Sequence, residues 1–480
     1  MTEILNQMVN MIWSLPLILI ILLTGFYYSV IMGFPQIRLF KETLRLMKER
    51  GESELGLSPF QSFIFTAART VGVGNIAGMA AGIYFGGPGA IFWLWVLALF
   101  GSSIAILEGT LAQTYKEVIN NEYKSGPSHY MAQAFRNQKV GRVFALVYAV
   151  ITTISLSLLM PGVQSFYIVQ GLHNALNIPS LFLALALTLI LGLVIFGGLK
   201  RIGRTSQRIS PIAGLLYVII SLIVIVVKID QLPATLVLIF QSALGRDAVF
   251  GAMIGSALQW GMRRGAFANE IGMGTSAITS ATSKVNHPAQ QGLLGGLSVY
   301  IGTLFICTTT TFMILMTGSY NVVNSQKEIV FEGVKGMKYG TAFVANAIQS
   351  VIPIPNFGNL FIAFAILIFA FVALTAFYLY AESSLAYLIG DKPLAFILLK
   401  LVFLATVFAG TLVVSDTIWT LADIGNGLMV WINVVALIFI GRQGASILKD
   451  YTNQQAKGIQ DPHFDPSSIG IDHGAEFWRR

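Results

Sequence analysis

Long stretches of the chain carry almost no polar residues, and they recur along its whole length. Apolar runs fall near 12–33, 60–84, 88–113, 141–168, 180–199, 209–228, 246–275, 291–317, 357–383, 394–413 and 417–440. Each has about 20 residues or more, the length an α-helix needs to cross a bilayer. The pattern predicts about eleven transmembrane helices. Residues 1–11 hold no Lys or Arg and include Glu3. A signal peptide needs a positive leading region, so the first run reads as a retained helix.

The polar segments between the runs set an orientation. Arg38, Lys41, Arg45, Lys48 and Arg50 lie in one, Lys116, Lys124, Arg136, Lys139 and Arg142 in a second, and Lys200, Arg201, Arg204 and Arg208 in a third. With alternating helices these segments and the C-terminal tail share a side, and positive loops stay cytoplasmic. The expectation is an external N-terminus and a cytoplasmic C-terminus. Segment 318–356 becomes a long external piece, with a short amphipathic helix over Tyr339–Val351 as a lid. The tail from about 442 reads as loose and polar, with His463 and His473 solvated rather than metal-bound.

Composition agrees with a lipid solvent. Of 480 residues, 55% are hydrophobic and 11% charged, and mean hydropathy is +0.72. Soluble domains carry roughly 25% charged residues. This excludes a cytosolic enzyme, a nucleic-acid binder and a disordered scaffold. The net charge of +8 is explained by cytoplasmic loops. Cys307, the one cysteine, rules out an intrachain disulfide and reads as a small buried hydrophobe.

Two runs are interrupted. In 60–84 the apolar pattern gives way to Gly72-Val73-Gly74-Asn75, followed by Gly78 and Gly82. In 246–275 it meets Gly261, Gly265, Asn269, Glu270, Gly272 and Gly274. Glycine clusters at membrane depth predict unwound backbone, which a bilayer tolerates only where it lines an enclosed cavity. Close helix packing through small residues is the competing reading, as the spacing of Gly78 and Gly82 allows. With the first helix set aside, ten helices divide five and five, each half opening on an interrupted run and the halves running oppositely. That is the pattern of an inverted-repeat transporter. The expected organisation is an N-terminal helix and loop over 1–57, repeats over 58–230 and 231–441, and a tail over 442–480. Freed N–H groups at such breaks hold a carboxylate, and freed carbonyls hold a cation or ammonium. Candidate substrate contacts are Thr70, Gly72, Val73, Gly74, Asn75, Gly261, Gly265 and Asn269. The mid-span amide Gln164 and the aromatics Trp260 and Phe267 join them.

Gly72-Val73-Gly74-Asn75-Ile76-Ala77-Gly78 and Gly86-Gly87-Pro88-Gly89-Ala90-Ile91-Phe92-Trp93 resemble the alanine/glycine:cation symporter family. So do Arg264-Gly265-Ala266-Phe267-Ala268-Asn269-Glu270-Ile271-Gly272-Met273-Gly274, Gly197-Gly198-Leu199-Lys200-Arg201-Ile202, Ala422-Asp423-Ile424 and Phe464-Asp465-Pro466. The resemblance runs nearly the whole chain. It implies an all-α fold of the leucine-transporter type, a 5+5 inverted repeat plus one N-terminal helix, and cation-coupled uptake of alanine and glycine. The chain departs from the family pattern at Val73, Phe166, Ala268, Gly302 and the pair Val372-Ala373, each replacing a polar residue. Sodium needs several oxygens in place of its water. The remaining candidates are backbone oxygens at Ala68 and Val71 with the Asn75 and Thr375 side chains. The expectation is weak or absent sodium dependence, with proton coupling or uncoupled exchange instead.

Ionisable residues inside spans are functional suspects. Those noted are Arg69, Glu108, Arg263, Arg264, Glu270 and Glu382. Glu270 or Glu108 would carry a proton. The alternative pairs Glu270 with Arg263 or Arg264 and places Glu108 in the cytoplasmic headgroup region. The chain shows no zinc-protease, phosphate-loop or Cys/His ligand motif. The reading is a monomeric secondary transporter of the cell membrane, not an enzyme, with no cofactor beyond Na+ or H+ as coupling ion. Its rivals are a carrier of a larger neutral amino acid such as glutamine and a non-transporting amino-acid sensor.

Overall fold

A computed structural model describes residues 2–48, 58, 62–63, 72–119, 122–197, 199–390, 392–413 and 415–479, with the backbone alone for 2, 119, 122, 199–210 and 415. Ala68, Arg69, Thr70 and Val71 lie outside the described residues. The N-terminal run is two helices, α1 (Thr2–Ile12) and α2 (Leu15–Ile31), and short α3 (Pro35–Arg38) and α4 (Phe40–Leu46) follow. Next come α5 (Val73–Gly86) and α6 (Ala90–Thr114). A hairpin of β1 (Glu117–Ile119) and β2 (Glu122–Lys124) leads to α7 (Pro127–Ala134). Then follow α8 (Gln138–Ile154), α9 (Pro161–Leu176), α10 (Ser180–Ile195), α11 (Leu199–Val227) and α12 (Leu232–Ala243). The second half holds α13 (Ile254–Asn269), α14 (Thr275–Ala281), α15 (Pro288–Tyr300) and α16 (Thr308–Met316). A hairpin of β3 (Asn321–Val323) and β4 (Ile329–Glu332) precedes α17 (Thr341–Gln349), α18 (Phe357–Ile389), α19 (Pro393–Gly410) and α20 (Ser415–Ala456).

The chain is an all-α membrane protein with two small hairpins. Among the described residues, seven helices are long and apolar enough to cross a membrane, or eight if α11 and α12, bent by 75°, form one span. The remaining expected spans correspond to α5, α10 and the broken pair α13–α14. At 1.5 Å per residue, α5 and α10 are only about 21 and 24 Å long. Large apolar side chains such as Phe182, Leu189, Ile212 and Phe439 face outward, as lipid contact requires.

Two spans contain one-turn π segments. Ser155–Leu159 joins α8 to α9 just before Pro161, whose missing N–H cannot continue the ladder. Ile301–Cys307 joins α15 to α16 ahead of four consecutive threonines. Hydroxyls of Thr308, Thr309, Thr310 and Thr311 bond back to carbonyls four or five residues earlier, which bends helices.

The second break is narrower than expected. Gly261 and Gly265 sit inside the intact helix α13. A Cβ on Gly261 would collide with the Ala90 carbonyl, and one on Gly265 would lie 2.7 Å from Leu97 and 2.8 Å from Leu94. These glycines let α13 lie against α6, so here the packing reading holds. The unwound stretch is 270–274, where Glu270, Gly272 and Gly274 have φ of 55°, 75° and 78°. An α-helix cannot pass through left-handed residues.

The tail is not loose. Helix α20 continues to Ala456, and the chain beyond packs back onto the bundle. The Phe464 amide donates to the Asn286 carbonyl at 3.2 Å, and Trp478 Nε1 donates to the Gln113 carbonyl at 3.0 Å. Lys116 is buried between the rings of Tyr123, Phe477 and Trp478, 4.3–5.3 Å from their centres. His463 and His473 are exposed, as expected. The bundle thus has a tail side and an opposite lid side, where β3, β4 and α17 lie.

Candidate functional site

The first break enters α5 at Gly72, whose backbone is extended. Asn75 closes the start of the helix, its Oδ1 accepting the Gly72 amide at 3.2 Å. The Val73 amide donates to Gln164 Oε1 at 3.4 Å. Gln164, a candidate substrate contact, here bonds the main chain at the first break. Gly74 is where the breaks meet. A Cβ there would lie 3.0 Å from both the Ala268 Cα and the Phe267 ring. Any side chain would push α5 away from the end of α13.

Asn75 Nδ2 also reaches Cys307 Sγ at 3.2 Å and the Gly302 carbonyl at 3.4 Å. Cys307 packs with Met79, Leu94 and Ala268, and the Asn269 side chain reaches its thiol. The cysteine is buried as expected, yet it joins a polar junction. Two oxygens near this junction stay unused. Asn269 Oδ1 and Thr303 Oγ1 are buried and have no hydrogen-bond partner among the described residues. Burying an unpaired polar atom costs about 1–3 kcal/mol, so each oxygen is available to a ligand that donates or to a cation. Thr303 stands in the π segment, next to Gly302, whose carbonyl meets Asn75.

The described part of the expected sodium site is sparse. Thr375 is buried and donates to the Val372 carbonyl at 2.7 Å, while Val372 and Ala373 add buried apolar walls.

One expectation about the charges changes. Arg263 and Arg264 do not pair with Glu270; both pair with Asp423 on α20. Glu270 instead accepts a hydrogen bond from the Thr275 hydroxyl. Glu108 is fully buried within the bundle. Asn433 Nδ2 donates to it at 2.6 Å and Ser276 Oγ at 3.2 Å. Trp260 is not a pocket wall. It stacks on Phe85 with ring centres 4.5 Å apart, at the far end of α5, roughly 20 Å along that helix from Val73.

Trp260 belongs to a roof on the lid side. The Arg264 guanidinium lies 4.4 Å from the Trp419 ring, and that of Arg263 4.6 Å from Trp260. Gly78 and Gly82 leave space for this: a Cβ would be 3.5 Å from Trp419 and 3.4 Å from Arg264, respectively. Tyr339 stacks on Tyr84 and donates to Asp416 at 2.6 Å. On the tail side, Ser62 Oγ donates to the Thr279 carbonyl at 3.1 Å and accepts from Gln291 at 3.0 Å. The described residues of the two breaks lie between these two layers. Asp423 was open to discovery, because it is an acid within the expected run 417–440. Asn433 carries no comparable signal.

The profile of the sodium:alanine symporter family matches residues 1–466. The Bacillus subtilis (strain 168) protein YrbD is 42% identical over 471 residues, covering 98% of this chain and 96% of its own. The sodium/proton-dependent alanine carrier protein of Bacillus sp. (strain PS3) is 38% identical, covering 91% and 96%. The sodium/alanine symporter AgcS of Methanococcus maripaludis is 29% identical, covering 91% and 94%.

Proposed function

Since the chain belongs to the sodium:alanine symporter family, and is thus a cation-coupled amino-acid carrier of the membrane, we propose that it imports alanine and glycine by alternating access. The observation that carries this reading is the junction of the two breaks. Gly74 meets Phe267 and Ala268 there, and Asn269 Oδ1 and Thr303 Oγ1 are buried without partners among the described residues. The substrate carboxylate is drawn to the start of α5, where the helix dipole favours an anion, and takes the place of Asn75 Oδ1 and Gln164 Oε1 on the Gly72 and Val73 amides. Its ammonium is received by the unpaired oxygens. Its side chain meets Phe267, Ala268 and Val73, which favours a methyl group or hydrogen over a longer chain.

The same residues bear on the ion. Among the described residues Thr375 is the hydroxyl left beside Val372 and Ala373. We infer weak sodium dependence, with a proton as the main coupling ion. Glu108, buried and without an ion pair among the described residues, is its carrier. The name of the Bacillus sp. relative, a sodium/proton-dependent alanine carrier, agrees with either ion. The Lys/Arg asymmetry favours a lid side facing out and a tail side in the cytoplasm.

Uptake of labelled alanine, glycine and glutamine by the purified protein in liposomes tests this, with sodium and pH gradients imposed separately. Alanine and glycine uptake driven by a proton gradient is expected. Preference for glutamine overturns the substrate assignment. Strict sodium dependence overturns the ion assignment. Binding without flux makes the protein a sensor.

A further inference from the structure

The helix pair α1–α2 lies outside the ten helices that make up the proposed repeats, yet its bend touches the charged roof directly. Trp13 sits in that bend and is fully buried. Its indole Nε1 donates to the backbone carbonyl of Asp423 at 2.9 Å. This is the residue whose carboxylate holds Arg263 and Arg264. Position 427, one turn on, is glycine. A Cβ there would collide with Ile12 and lie 2.8 Å from the Trp13 nitrogen, so the approach depends on its absence.

Two more bonds fasten the bend. Gln259 Nε2 on α13 donates to the Trp13 carbonyl at 3.1 Å. Trp431 Nε1 on α20 donates to the Ile12 carbonyl at 2.9 Å. Gln259 lies four residues before Arg263, on the same face of α13. The bend therefore ties together the same two helices that the Arg–Asp cluster ties. An acid paired with two arginines in a buried layer holds only if its position is fixed, because a displaced carboxylate leaves buried cations uncompensated.

We propose that Trp13 is a positioning residue for transport: its indole N–H fixes Asp423 under the arginines, so the N-terminal helix takes part in closing the lid side. This rests on the alternating-access reading above. Substrate must then pass the roof, and the roof must open and close once per cycle. Loss of the indole bond weakens closure. The carrier spends more time open on the lid side and returns more slowly. Apparent KM on that side and maximal rate then fall together.

The test compares the full-length wild type with Trp13→Phe and Gln259→Leu in liposomes. Trp13→Phe removes the donor and trims the buried indole to a single ring. A hydrogen bond of ordinary strength predicts maximal rate and KM each lower by about fivefold. Gln259→Leu shifts both in the same direction, and it decides the matter if Trp13→Phe does not assemble. Kinetics equal to the wild type, or a lower rate at constant KM, overturns the proposal and leaves Trp13 as packing. Alanine exchange by the wild type checks the alternating-access reading separately, since a wild type that binds without exchange fails before any variant is compared.

Discussion

Asn433 on α20 donates to Glu108 on α6 at 2.6 Å, and the same nitrogen donates to the Gly272 carbonyl at 2.9 Å. Its oxygen accepts from Tyr130. One amide therefore joins a buried carboxylate, the unwound stretch of the second break and the helix after the β1–β2 hairpin. Asn433→Leu leaves Glu108 with the Ser276 hydroxyl and leaves the Gly272 carbonyl short of a donor. A bond to a charged group is worth about 1.5–3 kcal/mol. Thermal unfolding in detergent should drop by several degrees, with uptake strongly reduced. An unchanged midpoint would show that Glu108 is neutral and weakly held.

The two glycine sets predict different failures. Gly74→Ala places a methyl 3.0 Å from Ala268 and Phe267 at the junction. It should raise the substrate KM at least tenfold, while the protein still assembles. Gly261→Ala drives a methyl into the Ala90 carbonyl where α13 crosses α6. Overpacking of this kind costs about 1–3 kcal/mol. The expected outcome is a lower yield and unfolding temperature, with KM near normal in the protein that folds. Equal KM effects at the two positions would contradict the division between junction and packing glycines.

That division also marks what the amino-acid pattern can express. Apolar runs located a helix at every expected span, because lipid forces a long uninterrupted hydrophobic stretch. Glycine marks both unwound backbone and close packing, and composition does not separate them. The backbone does: Gly272 has a left-handed φ, whereas Gly265 sits within helix α13. Asp423 was legible as an intramembrane acid, but its choice of partners was not. Arg264 is six residues from Glu270 in sequence and pairs instead with a residue on another helix. The tail looked free because its polar residues are many. It is held by a few aromatic ones, Phe464, Phe477 and Trp478.

Tail docking should respond to pH through Lys116, which lies beyond the end of α6. Its ammonium donates to the Ser283 carbonyl at 2.9 Å. Burial, with Lys284 adding to it, pushes the Lys116 pKa from 10.5 down to about 7. Between these values release of the tail takes up a proton. Docking therefore strengthens as pH rises above about 7, by up to tenfold per pH unit, and this group contributes no further change below that point. A dye on His473→Cys should report slower tumbling at pH 9 than at pH 7. The change should vanish in a Lys116→Met background. Stronger docking at lower pH would refute the assignment.

The unpaired oxygen of Thr303 allows a sharper separation of ligand binding from folding. Thr303 Oγ1 is buried with no partner among the described residues. Valine has nearly the same shape and no polar atom to desolvate. Replacing an unsatisfied hydroxyl by an apolar isostere is neutral or stabilising. Thr303→Val should therefore keep or raise the unfolding temperature by a few degrees. A ligand that binds this oxygen loses one hydrogen bond or one coordinating atom, so the KM for alanine or for the coupling ion should rise about tenfold. Loss of stability together with loss of transport would mean that the hydroxyl has a structural partner. Improved stability with normal transport would place the substrate and ion elsewhere. Only raised KM in a protein at least as stable as the wild type fits a hydroxyl held ready for its ligand.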